Sequence, residues 1–80
     1  MSNTLDRIKT VTVDLLKVDP SKIKPNSRFV EDLGAESVQS IELVAAFEEE
    51  FDIELDEDAA LAVKTVADAV RFIDQVLAVK

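Results

Sequence analysis

Cysteine, histidine, tryptophan and tyrosine are all absent from this 80-residue sequence, and glycine occurs once, at Gly34. Without cysteine there is no disulfide and no side-chain thiolate. Without histidine the commonest general base and metal ligand is missing. A single glycine excludes a glycine-rich phosphate loop. Both prolines, Pro20 and Pro25, precede residue 26, so the remainder can run helical without a break. No apolar run approaches the length that spans a bilayer, and no signal-peptide pattern opens the chain. These bounds lead us to expect one domain over residues 1–80 with a modest core and a thin stability margin. They also point to a cytoplasmic protein.

The charge is what is plentiful. The net charge is −8. That argues against nucleic acid, whose affinity comes from basic side chains neutralising phosphates. It argues equally against anionic membrane surfaces. It favours partners with basic patches, which such a field steers in. Residues 29–63 carry twelve acidic residues and no basic one. The basic residues stand at the two ends: Arg7, Lys9, Lys17, Lys22, Lys24 and Arg28, then Lys64, Arg71 and Lys80. A surface built only for solubility more often mixes the signs.

Helical periodicity accounts for most of the chain. Leu5, Ile8, Val11 and Leu15 share one stripe, predicting a first helix over residues 4–17 with Asn3 as its cap and Lys17 in its last turn. Residues 18–36 read as a long connection with turn chemistry at both prolines. Ile23, Phe29, Val30 and Leu33 should tie it to the core as an ordered loop, with a short helical turn near residues 20–23. A second helix is predicted over residues 37–51, with Ser37 as N-cap and Gly34 permitting a tight approach. Val44, Phe47 and Phe51 group on its core side. Val38 and Ala45 fall on another side, beside Glu42 and Glu49, as a docking strip or as an ordinary solvated face. Asp56, Glu57 and Asp58 open a short helix through Leu61. Thr65 caps the last helix, with Asp68 three residues on and a core stripe of Val66, Val70, Ile73 and Leu77. No strand alternation is present. The expected fold is all-α, a small four-helix bundle of three main helices and one short one.

Catalytic and metal motifs fail on their defining positions. Asp52, Glu54 and Asp56 imitate the start of a calcium loop, but Glu57 stands where Gly is required and Val63 where Glu is required. No dedicated metal site is expected. Ser37 is not in a nucleophile elbow, because Ala35 and Gln39 occupy the glycine positions. The sequence therefore reads as a non-enzyme. Ser37 keeps two readings, a simple helix cap or a phosphate ester placed where the helix dipole favours negative charge.

Asp32-Leu33-Gly34-Ala35-Glu36-Ser37-Val38, Ile41-Glu42-Leu43-Val44 and Phe47-Glu48-Glu49-Glu50-Phe51 closely resemble the acyl carrier protein family. The resemblance covers most of the chain, including the long loop with Phe29 and the stretch Val63-Lys64-Thr65-Val66. It implies a discrete carrier whose Ser, here Ser37, receives 4′-phosphopantetheine from coenzyme A through a separate magnesium-dependent transferase. The arm's thiol then holds acyl groups as thioesters. The positions matching the family's partner-recognition surface are Glu36, Val38, Glu42, Ala45, Glu48 and Glu49. The partners would be the transferase and acyl-processing enzymes that present Lys and Arg, and the carrier itself is expected to be a monomer. The matching acyl pocket would lie near Phe29, Val44, Phe47, Phe51, Leu61 and Val70.

Glu36 and Val38 depart from the family's usual Asp-Ser-Leu. Ala45 is smaller than the Met or Leu often found at its place. These departures suggest a specialised lipid or polyketide-type pathway over general fatty-acid synthesis. An unmodified acidic interaction module and an aminoacyl or peptidyl carrier are the alternatives.

Overall fold

The computed structural model describes residues 4–79. Within them lie α1 (Thr4–Leu16), a 3₁₀ turn (Pro20–Lys22), α2 (Ser37–Phe51), α3 (Glu57–Leu61) and α4 (Val66–Ala78). The architecture is the expected all-helical bundle. The proposed cap Asn3 lies outside the described residues. Lys17 is not in the last turn of α1. It stands beyond it at φ 60°, and its N–H closes on the Val13 carbonyl. Asp52 stops α2 in the same left-handed way, at φ 54°. Such residues reverse the chain direction and end the ladder of hydrogen bonds.

The core is assembled from one face of each long helix and from the loop. Ile8 and Thr12 bury on α1, and Leu43, Phe47 and Phe51 on α2. Val66, Ala69 and Ile73 bury on α4. Each of the large apolar side chains contributes about 1.5–3 kcal/mol by leaving water. On α2 the centre of the face is Leu43, at 4 % exposure, while Val44 is half-buried at its edge. At the far end of α2 the Arg7 guanidinium lies 4.3 Å from the Phe51 ring centre and 2.8 Å from the Glu50 carboxylate. This joins α1 to α2 by a cation–π contact and an ion pair.

The long loop is ordered because its backbone serves α4. Ser27 O accepts the Val66 N–H at 2.9 Å and Pro25 O the Ala67 N–H at 2.8 Å. Thr65 Oγ1 accepts the Asp68 N–H at 3.1 Å, as a capping residue does. Phe29 N–H donates to Lys64 O at 3.0 Å. The first turn of α4 thus has its orphan donors filled from within the chain. Ile23, Phe29 and Leu33 are buried as expected, whereas Val30 is 58 % exposed and does not tie the loop down. Ala35 is buried in its place.

Candidate functional site

The loop ends in a tight turn that delivers α2. Ala35 N–H donates to Phe29 O at 2.9 Å and Gly34 N–H to Val30 O at 3.1 Å. Gly34 takes φ +75°, and a Cβ built there would meet nothing within 4 Å. The glycine is therefore required by its backbone conformation and not by a close approach. Gly34→Ala is expected to cost about 1–2 kcal/mol, the penalty of placing a side chain in the left-handed region. Urea unfolding measures it, and an unchanged midpoint would show that the turn re-forms with a different φ.

Arg28 fixes the other side of this turn. Its guanidinium bonds both Asp32 oxygens, at 3.1 and 3.2 Å, and Glu31, while its own N–H reaches Asp32 Oδ2 at 2.8 Å. The guanidinium first, and the backbone N–H after it, hold the Asp32 carboxyl below the usual carboxylate range. Asp32 in turn raises the Arg28 pKa. The clamp keeps its charge at pH values where a free Asp begins to protonate.

Ser37 is not the N-cap. Glu36 is, with extended backbone (φ −84°, ψ 168°), and Gln39 Oε1 accepts the Glu36 N–H at 2.9 Å, the return half of a capping box. Ser37 occupies the first helical position with an exposed side chain. Among the described residues its hydroxyl makes no hydrogen bond, and the N–H groups of Ser37 and Val38 have no backbone acceptor. The start of α4 is filled by the chain itself, whereas at α2 the capping box serves the N–H groups of Glu36 and Gln39 and leaves those of Ser37 and Val38 open beside an unbonded hydroxyl. A phosphate ester on Ser37 fits there, because those N–H groups and the helix dipole favour negative charge.

The strip on α2 is exposed as the helical angles imply. Val38 is 66 % exposed, and Glu42, Ala45 and Glu49 are also at the surface. Glu48 differs. It is half-buried, and its carboxylate accepts the Leu55 N–H at 2.9 Å, anchoring the segment after α2.

A cavity of about 130 Å³ opens between α2, α3, α4 and the loop. Phe29, Val44, Phe47 and Leu61, four of the six positions that the resemblance implied for a pocket, line it. Phe51 and Val70 do not. Phe51 is covered by Arg7 at the end of α2, and the α4 wall is made by Ala69, Phe72 and Ile73, one face to the side of Val70. Val30, Leu43, Leu55, Ala60 and Val63, none of them among the implied pocket positions, complete the apolar lining. The i, i+4 spacing of Ala69 and Ile73 was the available signal.

Known proteins resemble this chain in sequence and in fold. A family described as the phosphopantetheine attachment site matches residues 6–73. An acyl carrier protein of Phenylobacterium zucineum is 48 % identical over 75 residues, covering 94 % of this chain and 95 % of the relative. One of Caulobacter vibrioides is also 48 % identical, over 94 % and 96 %. A solved chain from Mycobacterium tuberculosis, described as a candidate acyl carrier protein, superposes with a TM-score of 0.83. It is 29 % identical and covers 90 % of this chain and 96 % of that one.

Proposed function

The chain belongs to the acyl carrier protein family, whose prosthetic group is a covalent 4′-phosphopantetheine, and on that premise we propose that Ser37 is the residue that carries it. The protein is a carrier and not a catalyst. The observation behind the assignment to Ser37 is the contrast between the two helix starts. The chain fills the first three N–H groups of α4, but at α2 it leaves those of Ser37 and Val38 open, beside a hydroxyl with no other bond. When bound, the group supplies a terminal thiol that holds acyl chains as thioesters.

Loading is a phosphoryl transfer performed by a separate enzyme. Ser37 Oγ forms a bond to the β-phosphorus of coenzyme A, the pyrophosphate P–O bond breaks, and adenosine 3′,5′-bisphosphate leaves. The hydroxyl proton passes to the transferase. On this chain the part played is presentation. The Arg28 clamp and the Gly34 turn hold Ser37 at the surface, and Val38, Glu42, Ala45 and Glu49 form the face that docks. Glu36 contributes through its place at the cap, and Glu48 by fixing the chain after α2 more than by exposed charge. Acids on this face are suited to transferases and acyl-processing enzymes that present Lys and Arg. The cavity between α2 and α4 is the place for the acyl chain.

The docking face carries less apolar area than the family usually offers, with Val38 and Ala45 where larger side chains are common. We assign the carrier on that ground to a specialised lipid or polyketide-type pathway. Among the described residues no helix is long and apolar enough to cross a membrane.

The test is intact mass after incubation with coenzyme A and a broad-specificity transferase. One phosphopantetheine should be gained, and fragmentation should place it on the peptide containing Ser37. No gain would favour the unmodified interaction module. Acylation by general fatty-acid enzymes should then be slow, and full rates with them would remove the specialised assignment.

A further inference from the structure

A groove between α1 and α2 extends the docking face onto a second helix, an inference that rests on the α2 strip being where partners dock. The two helices run antiparallel, because Arg7 near the start of α1 meets Glu50 and Phe51 at the end of α2. On α1, Arg7, Val11, Asp14 and Leu15 fall within about 100° of one another, so they share one stripe along the seam. Arg7 fills the seam at the end of α2. Helical side chains lean back toward the N-terminus, so Arg7 reaches away from the turns that follow it. There Val11, Leu15 and Ala46 make an apolar floor, with Asp14, Glu49 and Glu50 around it. The three floor residues are half-buried, and Asp14 and Glu49 are exposed. Glu50 is held by Arg7, whereas Asp14 and Glu49 are in no ion pair among the described residues.

An apolar floor with two unpaired carboxylates at its edge suits one kind of side chain. The aliphatic stem of arginine covers apolar surface while its planar guanidinium forks onto carboxylate oxygens. Lysine offers a compact, strongly hydrated charge and no fork. The same seam already holds one such group from within the chain. The Arg7 guanidinium lies 4.3 Å from the Phe51 ring centre and bonds the Glu50 carboxylate at 2.8 Å. Glu49 also belongs to the strip with Val38, Glu42 and Ala45, so the groove is continuous with that strip. At 1.5 Å per residue, Ala46 and Glu49 lie about 14 and 18 Å along α2 from Ser37. A partner surface of about 800 Å² is roughly 30 Å across, so an enzyme seated on the strip covers the groove as well. We propose that the transferase that loads Ser37 places an arginine in this groove, its stem on Val11, Leu15 and Ala46 and its guanidinium at Asp14 and Glu49. Asp14 thereby makes α1 part of the docking surface.

The experiment follows loading of the full chain by a broad-specificity transferase at about 0.1 M salt, with every variant also melted. Asp14→Lys should raise KM about 10-fold or more and leave kcat nearly unchanged, because it removes a charged partner and does not touch Ser37. Glu54→Lys makes the same change of net charge beside the end of α4. Its KM should rise less than about 3-fold, since exposed charges are screened beyond about 10 Å. Ala46→Gln fills the groove without changing the charge, and KM should again rise several-fold. Tm should move by only a few degrees throughout, because none of the three side chains is fully buried. Equal rises in Asp14→Lys and Glu54→Lys would assign the effect to net charge and overturn the proposal. An unchanged KM in either Asp14→Lys or Ala46→Gln would overturn it too. Absence of any mass gain in the unmutated protein would defeat the Ser37 reading and this proposal with it. Loading with one KM for all four proteins would defeat this proposal alone.

Discussion

Ser37→Ala should abolish covalent loading and leave the melting temperature almost where it was. The pairing of the two results is what gives the experiment its force. Had Ser37 been the cap of α2, its hydroxyl would serve an orphan N–H, and alanine would cost about 0.5–2 kcal/mol. In a domain of this size each kcal/mol moves Tm by roughly 4–8 °C. The cap is instead Glu36, whose N–H is held by Gln39, and Ser37 stands one position inside with an exposed side chain. A surface change away from such features stays within about 0.5 kcal/mol. Total loss of mass gain with a shift of only a few degrees is therefore the expected outcome. A large drop in Tm would return Ser37 to a structural role. Residual loading in the variant would move the attachment to another hydroxyl.

The helices were legible because each announces itself locally. Residues 37–51 emerge with the observed bounds because an acidic, proline-free segment follows the only glycine. Thr65 could be named as a cap because it stands directly before an apolar stripe with Asp68 three residues on. The errors fall where two local readings compete and tertiary structure decides. Ser37 is the residue type that caps most readily, whereas Glu36 has Gln39 three residues on to return the bond. The loop that enters α2 settles the matter by leaving residue 36 extended. Leu43 and Val44 are 100° apart on a helix that is apolar on several sides, so periodicity cannot say which points inward. Val30 and Leu33 have similar hydropathy, but the turn closed at Gly34 points only Leu33 into the core. The covalent role proposed for Ser37 comes from the family resemblance, because no spacing of residues could supply it. The cavity was the least legible feature. Its walls depend on where α3 lies between α2 and α4, and α3 buries no residue of its own.

Reversing two charges on α2 should slow loading far more than it disturbs the fold. Glu42 and Glu49 are seven residues apart on one exposed face, with Val38 and Ala45 at the same spacing beside them. Arg7 is paired with Glu50 and Arg28 with Glu31 and Asp32, whereas Glu42 and Glu49 are in no ion pair among the described residues. Their field is therefore free to act on a partner. In the double variant Glu42→Lys/Glu49→Lys, kcat/KM of the transferase should fall by about 10–10³-fold at low salt, the range over which charge steers association. The deficit should shrink as salt rises, since exposed charges are screened beyond about 10 Å at 0.1 M. Stability should hold or increase, because the substitution relieves repulsion within a block of twelve acids and no base. Glu48→Lys supplies the contrast. That carboxylate holds the Leu55 N–H, so its loss should lower Tm even where docking is not measured. A loading rate unchanged by the double reversal at low salt would show that the strip on α2 is a solvated face, and that the transferase grips this carrier elsewhere.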